Sequence, residues 1–125
     1  MSKQSEEFFR VMLEFLPSIK NKYRHSIEEY GLLLETVVIE DIFMPYIIKL
    51  ISDNKDIKLL EDIFNYFEEV ANCEDEHLIN IFSITVLEIL GNDKEILKCA
   101  QKYMGPKTTS LQIEADRSLG RNENL

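Results

Sequence analysis

The residue types that do chemistry are scarce in this chain. Its 125 residues include two histidines, His25 and His77, and two cysteines, Cys73 and Cys99. Cys73 and His77 are four apart, the one place where a thiol and an imidazole fall close in sequence. A thiolate nucleophile also needs an orienting group and an oxyanion site, and the surrounding residues supply neither. The run Glu74-Asp75-Glu76-His77 mixes metal-ligating types, but four adjacent residues at a helix start cannot all face one ion. Helix capping by acids, with a surface histidine beside them, accounts for it. Asp53, Asn54 and Asp56 lack the glycine and distal glutamate of a calcium loop. Glu40-Asp41 and Glu61-Asp62 could face one another across helices, but the Glu-x-x-His signature of a two-metal bundle is missing. There is no glycine-rich phosphate loop, GxSxG or HExxH. The expectation is a non-enzymatic chain with no metal site and no cofactor.

What remains is carboxylate. The chain carries a formal net charge of −9, unevenly placed. Residues 1–34 balance, residues 35–95 hold fifteen acids against four bases, and residues 96–125 are slightly basic. Candidate partner-binding residues are Glu61, Asp62, Glu68, Glu69, Glu74, Asp75 and Glu76. Such a surface repels nucleic acid and anionic membrane and attracts cationic partners. It also serves solubility alone, and a solvated face is the ordinary meaning of a charge run. The two cysteines match no zinc or CxxC spacing and read as buried, reduced thiols. The N-terminus lacks the basic and apolar regions of a signal peptide, and no apolar run reaches membrane-spanning length. Both point to a cytoplasmic protein with neither nucleic acid nor membrane as partner.

Helices must position these residues. With only four Gly and three Pro, the chain has few breakers. Ser5-Glu6-Glu7 reads as a helix start, followed by Phe8, Phe9, Met12, Leu13 and Leu16 at helical spacing. Pro17 ends that helix or opens the next, a surface helix over 17–30 closed by Gly31. Residues 37–51 are apolar around nearly the whole helical circumference, which predicts burial on several sides. Their β-branched content would also suit a buried strand. Pro45 inside the run predicts a kink or a break. After a turn at 52–56, an amphipathic helix carries Ile57, Leu60, Ile63, Phe64, Phe67, Val70 and Ala71. A second mostly apolar helix covers 77–90, a short one includes Ile96 to Tyr103, and a last one starts near Pro106. Residues 1–119 form one domain on this reading, with 120–125 as a frayed tail. The fold class is all-α, with five to seven antiparallel helices. Units at 37–71 and 76–103 suggest HEAT-like stacking, although they share little sequence.

Four segments carry a family resemblance: Leu34–Leu50, Leu59–Glu69, Ile81–Leu90 and Tyr103-Met-Gly-Pro-Lys-Thr-Thr109. Together they resemble a family of small all-helical bacterial proteins of uncharacterised function found in polymorphic toxin and contact-dependent inhibition loci. The resemblance implies an immunity protein that neutralises a cognate toxin, and the acidity of residues 35–95 adds the expectation that the toxin has a basic surface, as a nuclease does. It implies no catalytic or contact residue. The other reading is a helical scaffold that oligomerises through apolar surface. A monomer or weak homodimer is expected of the immunity reading.

Overall fold

A computed structural model describes residues 2–125, and among them the chain forms seven helices and no strand. Helix α1 (Lys3–Phe15) is capped by Ser2, whose Oγ accepts from the Ser5 backbone N–H at 3.1 Å. The start expected at Ser5 lies three residues too late: Ser5 is buried inside the first turn. Leu16 and a 3₁₀ turn at Pro17–Ile19 lead into α2 (Lys20–Tyr30), which ends on Gly31 in the left-handed conformation at φ 74°. Only Ser26 of α2 is buried, so this is the surface helix its polar sequence predicts.

Helix α3 (35–53) joins α-helical Glu35–Val38 and Met44–Asp53 through a π-helical turn at Ile39–Phe43. The kink or break expected at Pro45 takes this form, and the helix runs on. Pro45 has no N–H to donate, and its ring would press on the carbonyl four residues earlier. In the widened turn the Met44 N–H reaches back five residues to the Ile39 carbonyl, and Pro45 falls in the first turn of the segment that follows. Helix α4 (Ile57–Ala71) starts on Asp56, which accepts from Leu59 N–H at 3.2 Å. Helix α5 (76–90) again carries a π-helical turn, at Ser83–Leu87, where the buried Thr85 hydroxyl donates to the Ile81 carbonyl. Asp75 caps α5 and Asp93 caps α6 (Lys94–Gln101), while Pro106 opens α7 (Pro106–Ser118).

Helix α1 packs on α4, α6 lies against the second half of α3, and α7 closes over both α4 and α5. The two π-helical turns pack against each other. Aromatic rings pack in two clusters. Phe8, Phe9, Tyr23 and Phe43 form one cluster, and Phe64, Phe67, Phe82 and Tyr103 another. Helices α3 and α5 are deeply buried, as their sequences predict, but not all round: Tyr46 and Ile84 remain exposed.

Residues of the expected tail are bonded back to the end of α5. Arg121 donates to the Glu88 carbonyl at 2.8 Å and to Asn92, and Asn124 donates to the Gly91 carbonyl at 3.0 Å. These bonds satisfy carbonyls at the end of α5 that no helical N–H can reach.

Candidate functional site

The seven acids singled out from the sequence are used in different ways. Glu61 and Glu69 are exposed on α4, and Glu74 and Glu76 are exposed at the turn into α5. Asp62 is half-buried and pairs with Lys58 at 2.9 Å. Asp75 accepts from the Leu78 N–H at 3.2 Å and from the Ser2 hydroxyl, tying α1 to α5. The Ser2 bond, together with the Leu78 N–H, holds its carboxyl below the ordinary value.

Glu68 has a different task. One carboxylate oxygen accepts from the Thr108 N–H and hydroxyl, both at 2.8 Å, and the other from the Lys107 N–H at 2.9 Å. Glu68 therefore caps the start of α7 from another helix, taking the place of the side chain that Gly105 lacks. Burial works to raise its carboxyl, but the bonds from Thr108, Lys107 and Asn72 outweigh burial and lower it. Gly105 makes room for this contact: a Cβ there would stand 2.5 Å from Glu68 Cδ and 2.6 Å from Oε1. Glu68 is thus part of the fold's own bonding and is withdrawn from the partner-binding set.

Two surface hollows border acids of this set. Beside Glu69 lies a shallow cleft with Gln4, Glu7, Tyr66, Cys73 and Leu78 on its walls. Burial pushes the Tyr66 phenol well above its ordinary range, and the Glu7 and Glu69 carboxylates push the same way. The second is a groove of about 380 Å³ between α5 and α7. Ile79, Ile84, Leu111 and Ala115 line its apolar part, and Glu76, Glu88 and Glu114 stand at its edge. Among the described residues no cation borders it, and none of these three glutamates has an ion-pair partner.

A family model described as a domain of unknown function (DUF7674) matches residues 9–120. The chain belongs to this family. Neither the curated proteins nor the solved structures contain a match to it. The matched region takes in the second half of α1 and all of α2 to α7, including both walls of the groove, and the family's description assigns no activity to any of them.

His77 and Glu35 meet at 3.1 Å, joining the starts of α5 and α3. Among the described residues no group of three or more His, Cys, Asp or Glu side chains converges on a common point, and no helix is long and apolar enough to cross a membrane. Cys73 and Cys99 are free thiols, half-buried and not sealed in the core. Of the acids chosen from the sequence, only Glu76 reaches the groove. Glu88 and Glu114 escaped notice because they are isolated charges in otherwise apolar or mixed segments, and a search for charge runs passes over them. The available signal was Ile84, an apolar residue on a helix with more apolar circumference than the fold can cover.

Proposed function

We propose that this chain is a non-catalytic binding protein of the immunity type, which neutralises a cognate toxin by covering a basic surface on it. The observation that carries the reading is a set of carboxylates that have no ion-pair partner among the described residues, the exposed Glu61, Glu69, Glu74, Glu76 and Glu114 with the half-buried Glu88, around helices that pack on a shared core. A nuclease holds phosphate with Lys and Arg, and carboxylates set on such a frame can take the phosphates' place. Close charge pairs of this kind couple by roughly 1.5–7 kcal/mol in one well-measured nuclease–inhibitor interface. The resemblance to proteins of toxin loci supports the same role, in the cytoplasm of the producing cell.

The test is whether a neighbouring gene encodes a large secreted protein with a C-terminal toxin domain, and co-expression of this chain with that domain. That domain alone should stop growth, and this chain should restore growth and co-purify with the domain. Absence of both binding and rescue removes the immunity role. The scaffold reading has its own support in exposed apolar residues such as Leu32 and Tyr30. A stable homo-oligomer in sizing chromatography, with no heterologous partner, would favour it.

A further inference from the structure

Helix α5 is written for burial on nearly every side, yet the fold covers only part of it. Ile84, in its π-helical turn, is left 43% exposed, and Ile79 is half-buried beside it. A large β-branched side chain held at the surface of such a helix is an unfilled contact. Around it the groove is shaped for a helix. Its lining residues recur at one-turn intervals from 76 to 88 on α5 and from 111 to 118 on α7, giving two tracks. The α5 track is about 18 Å long, the length of some twelve helical residues. Ser83, Ala115 and Ser118 are small, so a backbone can approach closely.

From this geometry we infer that the α5–α7 groove receives a basic amphipathic helix of the partner, its apolar stripe on Ile79, Ile84 and Leu111 and its flanking Lys or Arg on Glu76, Glu88 and Glu114. The inference rests on the reading of this chain as a protein-binding module and names where and what it binds. Charge complementarity selects this occupant. A second copy would bring the same three carboxylates against themselves, and like charges across an interface are costly. An acidic or nucleic-acid ligand meets the same repulsion.

The experiment uses the full chain and three labelled 14-residue peptides. One carries Leu at helical spacing flanked by Lys, one replaces each Lys with Glu, and one replaces each Leu with Ser. Fluorescence anisotropy should show the Leu/Lys peptide binding at least tenfold more tightly than the other two. Ile84→Asp, and separately the pair Glu88→Lys and Glu114→Lys, should each weaken it at least tenfold. The pair Glu28→Lys and Glu29→Lys on α2, an equal change of charge, should leave the affinity within twofold. If the α2 pair weakens binding as much as the groove pair, the attraction is one of bulk charge and the groove is not the site. Unchanged binding by a folded Ile84→Asp variant also overturns the inference. So does a dimer in sedimentation that Ile84→Asp dissolves, since a second copy then fills the groove. Should Ile84→Asp fail to fold, the rim pair, which alters charged side chains at the groove's edge, decides alone. Growth rescue by the Glu88→Lys/Glu114→Lys variant would sink the groove and keep the immunity role. Specific peptide binding without toxin rescue would do the reverse.

Discussion

Glu68 and Gly105 form one device, and their substitution should show it. Removing the carboxylate in Glu68→Ala leaves the Lys107 and Thr108 N–H groups without their cap, which costs about 2 kcal/mol by analogy with helix caps. In a chain of this size that lowers the melting temperature by roughly 6–10 °C. Gly105→Ala needs no unusual backbone, since φ is −78°. Its added Cβ acts by pushing Glu68 away, so it removes the same bonds. The double variant should therefore melt close to the worse single variant, well short of the sum of the two losses. Additive losses in thermal melts would mean that the two residues act apart. The pH dependence has a fixed sign. Because the folded carboxyl of Glu68 lies below 4.5, its contribution is full above that pH and is lost as pH falls through the folded value. Asp75, lowered by Ser2 and Leu78, adds a loss of the same sign from 3.8 downward. In the Glu68→Ala variant the acid limb of a stability–pH curve should be shallower than in the parent.

At the scale of elements, the end of α5 depends on residues that sequence reading set aside as a loose tail. Arg121 bonds the Glu88 carbonyl and lies 3.6 Å from Asp116, which is 1% exposed. Gln112 joins them, its Nε2 donating to Asp116 Oδ1 at 3.3 Å and to the Leu87 carbonyl at 2.9 Å. Gly91 is required by this crowding, for a Cβ there would overlap Asp116 Oδ1 and stand 2.6 Å from Arg121 Nη1. Arg121→Ala leaves a buried carboxylate without its cation and should cost about 3 kcal/mol, read as a shift in denaturant midpoint. A loss under about 0.5 kcal/mol, the size of an ordinary surface change, would mean the tail is ornamental. Helix α2 stands at the other extreme. With only Ser26 buried, its amides should exchange with solvent well before those of α4, whose Leu60, Ile63, Phe64 and Phe67 are fully buried. Equal protection of the two helices would contradict this ordering. The same contrast explains what was legible. Apolar periodicity placed α4 to the residue, and Gly31 and Pro106 marked boundaries through their own backbone chemistry. The uses of Glu68, Arg121, Gln112 and Gly105 come from chain segments brought together over 25–40 residues, and no local pattern records such meetings. The groove was hidden for the same reason, since its rim draws one glutamate from each end of α5 and one from α7.

For the whole molecule, the excess of negative charge acts on the fold and on its complexes with opposite signs. Residues 35–95 hold fifteen acids and four bases, and few of the acids are paired within the chain. Their mutual repulsion opposes compaction, whereas their attraction for a basic partner speeds association. Salt screens both, over a length that falls from about 30 Å at 0.01 M to about 8 Å at 0.15 M. Raising sodium chloride from 0.01 to 0.15 M should therefore raise the melting temperature of the free chain. The same change should slow association with a basic partner by about tenfold or more while altering dissociation far less. Both can be measured on one preparation, by calorimetry and by stopped-flow binding of the Leu/Lys peptide. The contrast separates the two uses of acidity left open by the sequence. If salt stabilises the fold but leaves association unchanged, the carboxylates serve solubility, and a partner must be held by apolar contact alone. If salt lowers the melting temperature, the internal pairs Arg10–Glu14, Lys58–Asp62 and Arg121–Asp116 outweigh the surrounding repulsion, and the acidic surface is stabilised from within. Only a rise in melting temperature together with slower association fits a surface held under charge strain for the benefit of a cationic partner.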